Sequence, residues 1–245
     1  MSGHSKWNNI AKRKGANDAK KAAIFTKIGR KMAVAIKEGG SNNPDNNAKL
    51  RDCIAEAKAN NVPNDNIKRM LDKGNQSNVS YESNTYEGYG PSGIAVICET
   101  LTDNRNRTVA DVRHYFDKYG AGLGNAGCVS WQFEQKGVLI IERGDLDEDE
   151  TMMTVLYAGA DDFQADEDCF QIYTAPEDFS AVRDALTEAG FEFAQAEIQM
   201  VPQNTITLES QEDMAQLRKL LDSLEDNDDV QHVWHNWENE DDYEE

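Results

Sequence analysis

Apolar residues recur along this chain in two different rhythms, and the change of rhythm divides it. Ile24, Ile28, Met32, Ala35 and Ile36 return at three- and four-residue steps, beside Lys20, Lys21, Lys27, Arg30 and Lys31. That spacing gives a helix one apolar stripe and a basic remainder. Gly39-Gly40 and the run SNNPDNN end it. A second helix is predicted with Leu50, Ile54 and Ala57 on one face, broken by NNVPN. A third, DNIKRMLDK, has Asn64 as its cap and Gly74 as its stop. Residues 23–74 thus read as a helical domain, preceded by a basic arm, residues 1–22, with no apolar stripe of its own.

The polar stretch GNQSNVSYESNTYEG places a linker near residues 74–82, and beyond it strands and helices alternate. GVLIIERG reads as a strand, DEDETMMTVLYAG as a helix, and DDFQAD and DCFQIYT as two strands. PEDFSAVRDALTEAG follows as a helix and FEFAQAEIQMV as a strand, giving βαββαβ. The flanks give the same order. GIAVICETL is a strand, NRTVADVRHYFDKYG a helix and CVSWQFE a strand; then come TITLES, a helix with Met214, Leu217, Leu221 and Leu224, and the strand DVQHVWHNW. The fold class is therefore α+β: an N-terminal helical bundle with a basic arm plus two ferredoxin-like (βαββαβ) α/β domains, one inserted in the other. The outer domain takes residues 83–135 plus 204–238, the inserted one 136–203, and residues 239–245 read as a solvated acidic tail.

Charge sharpens this division. Residues 1–73 hold sixteen Lys/Arg against seven Asp/Glu, a net of +9, whereas the remainder carries −29, for a chain total of −20. A basic module is attached to an acidic body. Screening limits the body's field to about 8 Å at physiological salt, so the module can still bind a polyanion. No run of apolar residues is long enough to span a membrane, and the polar, basic start lacks the apolar core of a signal peptide. The four cysteines are scattered and read as reduced thiols of a cytoplasmic protein.

Most candidate chemistry reads as structural. GYGPSG and GLGNAG match the G-x-G-x-x-G pattern, but each precedes a strand, where the dinucleotide fingerprint must open a helix. They are loops, the second long enough to reach into a partner. His232 and His235 fall on opposite faces of a strand and share no metal, and His4 and His114 have no evident partner. No serine, cysteine or lysine stands in a nucleophile context, so the reading is not an enzyme, with no cofactor and no small-molecule substrate. Arg105 and Arg107 project two guanidiniums at a helix start in an acidic domain; they can pair with carboxylates or fork onto phosphate.

The arm is the exception. Lys6, Lys12, Arg13, Lys14, Lys20, Lys21 and Lys27 offer phosphate contacts, and Trp7 offers a face on which a base can stack, worth about 1–3 kcal/mol. With Asn8 as a hydrogen-bonding group, and with Arg30, Arg105 and Arg107, these make the candidate nucleic-acid-binding set.

GHSKW at 3–7, AIFTKIGR at 23–30, YEGYGPSG at 86–93, LTDNRNRT at 101–108, VRHYFDKYGAGLG at 112–124 and DDVQHVWHN near the end resemble the YebC family over essentially the whole chain. The resemblance implies one helical and two α/β domains. It implies either a DNA-binding, probable transcriptional regulator or a translation factor that eases the ribosome through proline-rich sequence. It brings no catalytic residues and no cofactor. A flexible basic arm with an aromatic suits irregular RNA, such as rRNA or tRNA on the ribosome, better than duplex DNA.

Overall fold

Three helices come first: α1 (Asp18–Gly39), α2 (Ala48–Ala59) and α3 (Asn64–Gln76). The structure is a computed structural model that describes residues 18–76 and 79–243. The stripe expected on α1 is buried. Ile28, Met32, Ala35 and Ile36 meet Leu50 and Ala57 of α2 and Ile67 of α3 in one core. Both α2 and α3 pack on α1. Asn47 locks the corner before α2: its Oδ1 accepts from the Leu50 amide (3.1 Å) while its Nδ2 donates to the Ala35 and Ser41 carbonyls (2.8 and 3.0 Å). Asn64 is not the cap of α3 but its first helical residue. The chain reverses at Asn61 (φ 56°), which brings the Pro63 carbonyl to the helix start, where it accepts from Ile67 N at 3.1 Å.

A three-stranded sheet follows, built from β1 (Glu82–Tyr89), β2 (Ala95–Thr102) and β7 (Val230–His235) in the order β1-β2-β7, all antiparallel. β2, the central strand, is apolar on both faces. Val96 and Cys98 point to a core shared with α4 (Arg105–Tyr119) and α7 (Gln211–Glu225), through Phe116, Leu217 and Leu221. Ala95 and Ile97 point the other way, onto Val129 and Phe133. The four-stranded sheet has the order β4-β5-β3-β6, again antiparallel throughout. Its strands are β3 (Phe133–Glu142), β4 (Asp162–Ala165), β5 (Cys169–Thr174) and β6 (Gln195–Pro202). α5 (Glu148–Tyr157) and α6 (Phe179–Glu188) complete a βαββαβ unit, covering the face that carries Leu139, Ile141, Phe170 and Ile172. No helix among the described residues is long and apolar enough to cross a membrane.

The α+β class stands, but the outer unit differs from the sequence expectation in three places. Glu82–Tyr89 is a strand, although its polar residues read as linker and loop; it lies at the sheet edge, where one face meets water. CVSWQFE does not form a strand of this sheet: Ser130–Gln132 is a 3-10 turn, and Phe133 opens β3 of the other sheet. TITLES contributes one bridge, Ile206 to Trp237. The segment after residue 238, expected to be solvated, is tied down through Tyr243. Glu240 is buried with His235 Nε2 3.1 Å from its carboxylate, Asn239 bonds both Leu208 and Trp237, and Tyr243 packs on the outer core.

Candidate nucleic-acid interface

The twelve residues singled out from the sequence meet different fates. Lys6, Trp7, Asn8, Lys12, Arg13 and Lys14 lie outside the described residues. Lys20 sits in the first turn of α1, its side chain likewise outside them, and Lys21 is exposed. Lys27, Arg30 and Arg107 are engaged within the chain. Lys27 Nζ donates to the Glu225 carbonyl at 2.6 Å, where the C-terminal end of α7 favours a cation.

Arg30 and Arg107 converge from α1 and α4 on one carboxylate, Asp229, whose side chain is only 4% exposed. Arg30 Nη1 donates to Asp229 Oδ1 at 2.6 Å and to the Asp228 carbonyl at 2.7 Å. Arg107 donates to Asp229 Oδ2 from Nη2 (2.7 Å) and Nε (3.3 Å), and to Asp103 at 3.0 Å. The Thr108 and Thr102 hydroxyls lie 2.7 and 3.1 Å from the same Oδ2. Burial alone would raise the Asp229 carboxyl, but the hydrogen bonds from Arg107, Thr108 and Arg30 hold it below the usual carboxylate range. A recess of about 260 Å³ opens above this junction, walled by Arg30, Asp103, Arg107, Asp111, Asn227, Asp228 and Asp229. Four acids face two arginines already paired, so this recess is poorly suited to phosphate. The sequence allowed Arg107 either role, and the structure shows the carboxylate pairing. Arg105 is exposed on the first turn of α4, near Tyr86, where its charge opposes the burial that raises that phenol.

A second junction forms at the next residue of α1. Lys31 Nζ donates to Glu56 Oε1 (2.8 Å) and to His232 Nε2 (3.0 Å), so Nε2 acts as acceptor and Nδ1 faces Glu197 at 4.0 Å. Burial would lower the Lys31 pKa, yet the charge and hydrogen bond of Glu56 leave it raised. His232 stacks on Trp234, with ring centroids 5.1 Å apart. From α6, Arg183 reaches Asp52 on α2 at 3.0 Å. Helical unit, outer sheet and inserted sheet thus meet through charged pairs.

What remains displayed is the solvent side of the helical unit. Lys21, Lys37, Arg51, Lys58, Lys68, Arg69 and Lys73 are exposed there, and Lys49 makes only a surface pair with Glu38. Apart from Lys21, the sequence reading did not single these out. The +9 balance of residues 1–73 was the signal that could have found them.

The glycine-rich loop after α4 is fastened rather than open. The Glu87 carboxylate, 6% exposed, accepts from the amides of Gly127 (2.8 Å), Val129 (2.9 Å) and Ser130 (2.9 Å). Burial pushes Glu87 up, and these three donors bring it below its ordinary value. Gly88 is needed because a Cβ there would lie 2.6 Å from the Phe116 ring. At the end of the loop Trp131 is 69% exposed, steadied by Nε1 donating to the Cys128 carbonyl at 3.1 Å. Both Glu87 and Trp131 escaped the sequence reading, which placed Trp131 within a strand.

Known proteins align along nearly the whole chain. A family model described as the TACO1/YebC protein N-terminal domain matches residues 5–77, and one described as the TACO1/YebC second and third domain matches residues 81–237. A probable transcriptional regulatory protein of Clostridium tetani is 56% identical over 230 residues, covering 93% of each chain. One from Ruminiclostridium cellulolyticum is 53% identical over 229 residues, 92% of each. Among solved structures, the crystal structure of a conserved hypothetical protein, Aq1575 from Aquifex aeolicus, superposes with a TM-score of 0.81. It is 39% identical, covering 90% of this chain and 91% of that one.

Proposed function

The chain belongs to the TACO1/YebC family, and on that premise we propose that it is a non-enzymatic, cytoplasmic, nucleic-acid-binding regulator of gene expression that works on the ribosome. Its partner in this reading is rRNA or tRNA, and its task is to ease elongation through proline-rich sequence. The observation that carries the reading is the +9/−29 division of charge. The acidic α/β units repel phosphate and leave the helical unit with its arm as the polyanion-binding face. Lys6, Lys12, Arg13, Lys14, Lys20 and Lys21 are the proposed phosphate contacts, with Trp7 as the stacking ring and Asn8 beside it.

A second reading, a DNA-binding transcription regulator, follows from the names of the relatives. In its favour, α2 and α3 are joined by only four residues, 60–63, as in a helix-turn-helix. Against it, α3 exposes Asp65 and Asp72 among Lys68, Arg69 and Lys73, a poor recognition surface for duplex DNA.

Sedimentation of lysate through sucrose gradients at rising salt separates the two. Co-migration with ribosomes that falls steeply with salt, and is lost in Lys12→Glu/Arg13→Glu/Lys14→Glu, is the expected result. Unchanged ribosome association in that variant would overturn the arm's role. Absence from ribosomal fractions, with retention on DNA, would favour the second reading.

A further inference from the structure

α5 is folded with its larger apolar side outward. Thr151 and Val155 are buried against the sheet, whereas Met152, Met153, Leu156 and Tyr157 are 36%, 55%, 48% and 85% exposed. An ordinary surface helix does the reverse. At i, i+4 spacing Met152 lies beside Leu156, and Met153 beside Tyr157, so the four make one continuous stripe. Large apolar side chains exposed singly need no explanation, but four within six residues do.

The rim of the stripe is acidic. Asp147, Glu148, Asp149 and Glu150 are exposed at the start of α5, and Asp161 and Asp162 just past its end. The cation nearest in sequence, Arg143, is already held by Glu148 and the Asp166 carbonyl, both at 2.9 Å. Residues 136–203 contain seventeen Asp/Glu and three Lys/Arg. Such a surface repels RNA, and it repels a second copy of itself because the same acids would face each other.

We propose that this side of α5 docks a cationic amphipathic helix of a partner protein, with apolar residues on its inner side and Lys/Arg along its flanks. The methionines adapt to the shape of the incoming side chains, and Tyr157 supplies a stiff aromatic anchor. Ten residues of helix span about 15 Å, which suits a small, transient contact rather than a permanent one. The proposal uses none of the residues assigned to nucleic acid and stands independently of that assignment.

The test is fluorescence anisotropy with the full chain and two labelled probes. One is a peptide of about 14 residues of Lys, Leu and Ala patterned as an amphipathic helix, roughly four turns; the other has the same composition in scrambled order. The full chain is expected to bind the patterned peptide at least ~10-fold tighter than the scrambled one. Met153→Ser/Tyr157→Ser should abolish that preference. Glu148→Gln/Asp149→Asn/Glu150→Gln should weaken binding by about threefold and flatten its salt dependence. If the serine variant fails to fold, Met152→Gln/Leu156→Gln serves in its place. Equal affinity for the two peptides, or unchanged binding by a folded stripe variant, would overturn the proposal. A concentration-dependent dimer abolished by Met153→Ser/Tyr157→Ser would overturn it in favour of a second copy. Tighter peptide binding by Lys12→Glu/Arg13→Glu/Lys14→Glu would overturn it in favour of this chain's own arm.

Discussion

Lys27, Arg30 and Lys31 on α1 and Lys68, Arg69 and Lys73 on α3 carry the same charge in the same helical unit. Their surroundings separate them. The α1 cations lie beside the apolar stripe, on the side turned toward the sheets, and each reaches a partner outside its own helix: the Glu225 carbonyl, Asp229, or Glu56 with His232. The α3 cations face water. In a chain this acidic a basic residue can be a fastener or a ligand, and its position relative to the core decides which.

The contrast can be broken at its strongest point. Asp229→Asn leaves Arg30 and Arg107 facing a neutral amide, and should lower unfolding stability by about 3 kcal/mol in chemical denaturation. A loss below about 1 kcal/mol would show that this junction does not hold the units together. Lys68→Glu/Arg69→Glu/Lys73→Glu should do the opposite: leave stability nearly unchanged and weaken RNA binding at least ~10-fold in filter-binding titrations. A cooperative loss of structure in that variant would make these residues fasteners too.

pH sharpens the same comparison. The folded Asp229 carboxyl lies below its unfolded value, so its contribution is fully present above the ordinary carboxylate pKa and is lost as pH falls through that value toward the folded one. Thermal melts from pH 6 down to pH 3 should therefore narrow the gap between the parent chain and Asp229→Asn; a constant gap would deny the linkage. The smallest effect belongs to the exposed pair Lys49–Glu38, where Lys49→Ala should change stability by less than about 0.5 kcal/mol despite the 2.7 Å contact.

Much of the fold was legible because periodicity reports burial. The α1 stripe and the βαββαβ order of the four-stranded unit follow from apolar spacing alone. β1 was not legible, since an edge strand with the pattern ESNTYEGY has the composition of a loop and forms only because β2 offers it a ladder. CVSWQFE failed for the converse reason: its amides are taken by Glu87, a residue some forty positions earlier that no local pattern connects to it. The candidate interface was half legible. Composition located the basic third, but the conversion of Arg30 and Arg107 into partners of Asp229 depends on a contact some two hundred residues away in the case of Arg30.

The three attachments of α1 also fix where that helix begins. A helix of 22 residues is a rod of about 33 Å, and Lys27, Arg30 and Lys31 pin one side of it to the end of α7, to Asp229 and to β7 of the three-stranded unit. The turns before Lys27 form a stalk whose direction is set by that pinning. The start of the stalk at Asp18 is therefore held at a set position relative to the three-stranded sheet. If the acidic units were seated on a partner, the cations that precede α1 in the sequence would be tethered to it at an effective concentration set by geometry, so even a weak contact elsewhere on the molecule would multiply their occupancy.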